Sequence, residues 1–218
     1  MYVPLGVQTS YSFLTSTIKI SELIKREFEC IALLDEHNLH GAFEFCQLCK
    51  KNNKKAIIGS FLNIEGGIRL AAYCENQEGY ENLSWLITNS NIRGTQHIEW
   101  SDFENHSSGI LIITDPYMKM NSLQILKHNL LKYFSNRCYA GVMLPNMNIG
   151  KKISLELDIS IIALPISRYL HSQDMEAHNA LQCIKYGDYL YSQDKCHSSE
   201  YYELFTNDRM LQLFENIP

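Results

Sequence analysis

The sequence predicts an α/β fold, a distorted parallel barrel of about seven strands. Short β-branched or apolar runs alternate with stretches of helical periodicity along the chain. The recurring order β-α-β-α-β-β-α gives the strands the spacing that right-handed crossovers require. No Pro/Gly/Ser-rich linker or shift of composition interrupts the 218 residues, so a single domain is expected.

The elements follow in order. Residues 3–7 open as a strand, and residues 20–28 form a helix with Ser21 and Glu22 near its start. A strand at 30–34 precedes a helix at 41–52, whose apolar residues 42, 45, 46 and 49 have helical spacing and form a buried stripe. Asn38 is a candidate cap ahead of that helix. Strands at 56–64 and 68–73 flank Glu65-Gly66-Gly67, a hairpin signal because glycine allows the positive φ that tight turns need. Helices at 79–89 and 100–104, a strand at 109–114, a helix at 122–133, and strands at 139–143 and 160–164 continue the alternation. Helices at 174–184 and 207–214 close it, the last with Asn207 and Asp208 at its start. Tyr80, Leu83 and Leu86 fall on one helical face, as do Ala177, Ala180, Leu181 and Ile184, and both sets read as packing faces. Residues 89–96 and 144–152, rich in Asn, Gly and Lys, read as loops.

Composition narrows the function. With 45% hydrophobic and 20% charged residues the chain has globular composition and is not disordered. A net charge of −5 gives no sign of nucleic-acid binding by bulk electrostatics and suits a protein partner better. No apolar run approaches the roughly 20 residues of a membrane helix, and Met1-Tyr2-Val3-Pro4 does not open a signal peptide. A cytoplasmic location without membrane contact is expected. Seven cysteines then read as free thiols. Cys46 and Cys49 form a C-x-x-C, but no second pair has the spacing a structural zinc site needs, so both are expected as core-facing thiols. Cys30, Cys74, Cys138, Cys183 and Cys196 are scattered and read as buried filler.

Phosphate-cradling glycine loops and a serine-hydrolase elbow are absent as motifs. Lys50, Lys51, Lys54 and Lys55 form a basic run that reads as a solvated helix end. His97, His106, His128, His171 and His197 have no partners at ligand spacing, and His178 reads as a satisfied core or surface histidine.

Several segments together carry a resemblance. Residues 2–14 read Tyr-Val-Pro-Leu-Gly-Val-Gln-Thr-Ser-Tyr-Ser-Phe-Leu; residues 31–45 carry Leu34-Asp35-Glu36-His37 and then Gly41-Ala42-Phe43-Glu44-Phe45. Further matches lie in Ala56-Ile-Ile-Gly-Ser-Phe61, Asn76-Gln-Glu-Gly-Tyr-Glu-Asn-Leu83, Asp174-Met-Glu-Ala-His-Asn-Ala-Leu-Gln-Cys-Ile184, Tyr201-Tyr-Glu-Leu204 and Met210-Leu-Gln-Leu-Phe214. In order and spacing these resemble the PHP (polymerase and histidinol phosphatase) domain of bacterial DNA polymerase III alpha subunits, over essentially the whole chain. The G-Y-x-N-L and E-A-H-x-x-L segments resemble the polymerase subfamily more than PHP phosphatases in general. The resemblance implies a (β/α)7-like PHP barrel.

In active members of that family, histidines and carboxylates at the strand ends hold metal ions that activate water. Carried over position by position, the ligands are replaced here. Pro4, Gly6 and Gln8 stand for the first-strand histidines, and strand alternation puts these three on one face. Asp35 is kept, Glu36 takes a histidine's place and His37 comes one residue late. Phe61 replaces a glutamate, Gly141 an acidic residue, and Pro165-Ile166-Ser167-Arg168 the final Asp/His pair. A cationic Arg168 there repels a metal ion. No catalytic, cofactor or metal residue is therefore assigned, since a catalytic zinc needs about three protein ligands. Asp35, Glu36, His37 and His40 form a local polar cluster whose residual metal affinity the sequence leaves open.

The resemblance thus implies a catalytically inert PHP domain with a structural and partner-binding role in DNA replication. Its parent would be a DNA-directed DNA polymerase whose palm lies beyond residue 218, and the chain would be a piece of that protein or a truncated product. The implied partners are the remainder of the alpha subunit and, in some relatives, a proofreading exonuclease subunit; DNA would be reached only through the parent. The alternatives are a metal-dependent PHP phosphoesterase or 3′–5′ proofreading exonuclease, and a free-standing fragment that binds replication partners.

Overall fold

The computed structural model describes residues 2–118, 123–190 and 198–215. Its elements are β1 (Gly6–Val7), α1 (Ile20–Leu23), β2 (Cys30–Glu36), α2 (Ala42–Lys51), β3 (Lys55–Ile64), β4 (Ile68–Cys74), α3 (Gln77–Arg93), α4 (Phe103–His106) and β5 (Ile110–Thr114). They continue with α5 (Leu123–Phe134), β6 (Cys138–Val142), α6 (Met147–Leu157), β7 (Ile161–Ala163), β8 (Ile166–Ser167), α7 (Met175–Tyr186) and α8 (Asn207–Phe214). The class is α/β, as the alternation predicts. The chain divides into two compact units, one from residues 1–33, 40–56 and 165–218, the other from 34–39 and 57–164.

In the first unit β1 is flanked on both sides by parallel strands. Val7 pairs with Leu33 of β2, while Gly6 and Val7 pair with Ile166 and Ser167 of β8. Gly6 is required here, because a Cβ at this position would collide with the Pro165 carbonyl. Ile31, Leu33, Phe45 and Tyr169 are among its buried apolar residues. Helix α2 buries Ala42, Phe45 and Cys49 and turns Cys46 outward, so only one thiol of the C-x-x-C faces the core. Gly41 caps that helix without a side-chain bond, and Asn38 instead donates to the Glu36 carbonyl. Helix α1 is a single turn, shorter than the expected span of 20–28.

Helix α7 reverses its expected facing. Its buried residues are His178, Gln182 and Cys183, whereas Ile184 is exposed. The reason is polar: Gln182 Nε2 donates to the Leu14 carbonyl at 2.8 Å and Lys185 Nζ to Thr15 Oγ1 at 2.7 Å. His178 Nε2 lies 3.1 Å from the Thr15 carbonyl. A helix that docks on loop carbonyls must present donors there, not aliphatic side chains.

In the second unit the strands run in the order β7-β6-β5-β4-β3. β5–β6 and β6–β7 are parallel, but β3–β4 and β4–β5 are antiparallel. The expected Gly66-Gly67 turn, at φ +78° and +72°, makes the β3–β4 hairpin and so introduces the antiparallel pairs. The core gathers Leu62, Leu70, Leu83, Leu86, Phe103, Phe134 and their neighbours. Helix α3 is longer than predicted because Asn76 Oδ1 accepts from the Gly79 N–H at its start and Gly94 ends it at φ +70°. Residues 147–152, within the stretch 144–152 expected as loop, form the first half of helix α6, which runs on to Leu157. Gly150, Ile153 and Leu157 make its buried face, and Gly150 lies so close to the Gly141 carbonyl that any Cβ would clash. The Asn, Gly and Lys content hid that stripe. The expected start of helix 5 at Ser122, and Cys196 and His197, lie outside the described residues.

Candidate functional site

In the first unit Gln8 and Arg168, two positions where the resemblance implies metal ligands, meet in a polar contact. Gln8 is fully buried, and its Oε1 accepts from Arg168 Nε at 2.9 Å. The Arg168 guanidinium also stands over the Tyr202 ring, 4.2 Å from its centroid. Ser16 Oγ donates to the carbonyls of Gln8 and Arg168 at 2.8 and 2.9 Å, which fixes both residues' backbone. Pro4 and Ile166 are buried beside this strand pair. His40 is exposed on the turn into α2.

The second unit holds the carboxylates. Glu36 ends β2, Arg69 belongs to β4, and Asp115 follows β5. Arg69 reaches both acids: Nη2 to Glu36 Oε1 at 2.5 Å, Nε to Glu36 Oε2 at 3.3 Å and Nη1 to Asp115 Oδ2 at 2.5 Å. The second Asp115 oxygen accepts from the Tyr117 N–H at 2.9 Å. Burial pulls the Arg69 guanidinium's pKa down, but Glu36 and Asp115 outweigh it and hold it above its ordinary value. Phe61, fully buried, lies under that guanidinium with its centroid 3.4 Å from Cζ.

His37 is engaged at both ring nitrogens. Nδ1 accepts from the Asn63 N–H at 3.3 Å, which places the proton on Nε2, 2.8 Å from Ser90 Oγ. Ser90 Oγ in turn donates to the Ile87 carbonyl. Burial lowers the His37 pKa, against a smaller upward pull from Glu36, so the neutral ring is favoured. The neutral ring's one acceptor nitrogen is thus already occupied. Asp35 is buried, and its carbonyl accepts from Ser60 Oγ at 3.0 Å. Gly141 donates its N–H to Thr114 Oγ1, and a Cβ there would collide with the Thr114 carbonyl. No carboxylate fits that position without moving the strands.

Other histidines serve locally. His106 stacks on Trp85 with centroids 3.7 Å apart, and His97 bonds its own turn at the Thr95 carbonyl. His171 lies 3.4 Å from Arg26 Nη1, and His128 is exposed. Among the described residues no three His, Cys, Asp or Glu side chains are placed to hold a metal ion. Nor does any described helix have the length and apolarity to cross a membrane. Sequence reading missed Arg69 and Asp115. The available signal was an arginine between Ile68 and Leu70 in a strand that is otherwise apolar, which demands a carboxylate close by.

The PHP domain family matches residues 4–139. Over its whole length the chain is similar to the DNA polymerase III alpha subunits of Rickettsia bellii, at 27% identity, and Borreliella burgdorferi, at 26%. It spans 21% and 22% of those relatives' lengths. Among solved structures it resembles a two-domain protein from Bacteroides vulgatus that contains a predicted PHP-like metal-dependent phosphoesterase. The TM-score is 0.51 at 8% identity, covering 86% of this chain and 55% of that one. That likeness concerns the fold, while the sequence match settles descent: the chain belongs to the PHP domain family.

Proposed function

We propose that residues 1–218 form one catalytically inert PHP domain of a DNA polymerase III alpha subunit, with a structural and partner-binding role in replication. The observation that carries the inertness is Arg69, whose guanidinium takes up both Glu36 and Asp115. His37, Gln8 and Arg168 are likewise committed to protein partners. Hydrolysis of a phosphate ester by metal-activated water needs ligands free to bind the ion, and these are not free. Similarity over the whole chain to alpha subunits supports the assignment to a larger replicative polymerase. In that setting the domain works in the cytoplasm, packs against the remainder of the alpha subunit and offers a surface to a proofreading exonuclease subunit. It meets DNA only through the parent. The net charge of −5 agrees with a protein partner.

The test is activity. The purified chain, with Mn²⁺, Zn²⁺ or Mg²⁺, is assayed for phosphate release from p-nitrophenyl phosphate and nucleotide release from a primer 3′ end. The reading predicts rates at the protein-free background. Metal-dependent turnover that tracks the protein on a sizing column would establish the phosphoesterase or exonuclease alternative instead.

A further inference from the structure

We infer that Arg69 is a resident cation: its guanidinium fills, from within the chain, a divalent-cation site formed by Glu36 and Asp115. This deepens the inert reading and rests on it. The three side chains come from different strands or strand ends, so their meeting is fixed by the sheet and not by neighbouring sequence. The Asp115 side chain is 5% exposed, and those of Arg69 and Glu36 are 23% and 27% exposed. Two carboxylates in so little water repel unless a cation or a proton stands between them. One guanidinium supplies three N–H donors to them, and Phe61 supports it from the other side. Tyr117 holds Asp115 by its second oxygen, so that carboxylate stays in place when Arg69 is removed. Hard oxygen donors of this kind select Mg²⁺, Mn²⁺ or Ca²⁺ over softer ions.

The experiment is thermal denaturation of the full chain with and without MnCl₂, repeated with MgCl₂ and CaCl₂. For Arg69→Ala, metal at about ten times a Kd on the order of 1 mM should raise the Tm by about 3 to 5 °C. The unmodified chain and Arg69→Lys, which keep a positive charge, should shift by less than about 1 °C. Adding Glu36→Gln to Arg69→Ala should abolish the gain. If Arg69→Ala does not fold alone, the neutral combination Glu36→Gln, Arg69→Met, Asp115→Asn decides. Cooperative melting of that variant supports the resident-cation role, and its failure to fold overturns it in favour of packing on Phe61. A folded Arg69→Ala that gains no metal response also overturns it, while leaving the inert reading intact. Metal binding by the unmodified chain would overturn it as well, and would strike at the inert reading itself.

Discussion

The Arg69 guanidinium stands over the Phe61 ring, 3.4 Å from its centroid. Phe61 occupies the position where the family resemblance leads one to expect a glutamate, and in the proposed reading the apolar ring and the arginine above it stand in for that acid and its metal. Phe61→Ala should therefore remove both the packing and the support under Arg69. A loss of about 3 to 5 kcal/mol is expected, read as a lower midpoint in urea. A midpoint unchanged from the parent chain would mean that Phe61 is not part of this assembly.

Gly150 offers a test whose sign is unusual. Glycine to alanine inside a helix ordinarily stabilises by about 1 kcal/mol. Here the added methyl would meet the Gly141 carbonyl and Val142 Cγ1, and backbone cannot rotate away. Gly150→Ala should cost about 1 to 3 kcal/mol. A raised Tm would show that α6 and β6 do not approach as described.

His178 sets a pH dependence. Burial lowers its pKa to about 4; the Thr15 hydrogen bond works against this, and Arg168 and Lys185 add to it. The unfolded ring, with a pKa near 6.5, takes up a proton first. Stability from this residue is thus complete above about pH 6.5 and is lost as pH falls toward 4, by about 3 kcal/mol. His178→Gln, which can still donate to Thr15 and accept from Ser198, should flatten the fall in Tm between pH 6.5 and 4. Parallel curves for the two proteins would assign the dependence to other groups.

Much of this fold was legible because periodicity is local. Strands β2 to β6 lie within a few residues of their predicted positions, and the Gly66-Gly67 turn was read from two residues. Helix α6 was missed because Asn, Gly and Lys outweighed the Ile149, Ile153 and Leu157 spacing. Strand β8 was missed because two residues carry no period. The residues at the positions where the resemblance implies metal ligands were named from the sequence one by one, and their contacts were not. What could not be read was the counter-charge: Glu36, Arg69 and Asp115 are 33 and 46 residues apart, and only the strand order β2-β3-β4-β5 brings them together. For the same reason α7's polar inner face escaped notice, since its partners are backbone carbonyls at Leu14 and Thr15.

Metal content separates an inert domain from a metal-dependent one. The purified, unmodified chain is dialysed in turn against Zn²⁺, Mn²⁺ and Fe²⁺, then against metal-free buffer, and its metal is measured by mass spectrometry. With Arg69 on Glu36 and Asp115, His37 engaged at both nitrogens and Arg168 on Gln8, well under one ion per chain should remain. One or more tightly held ions per chain would contradict the account and return the domain to the metal-dependent members of its family.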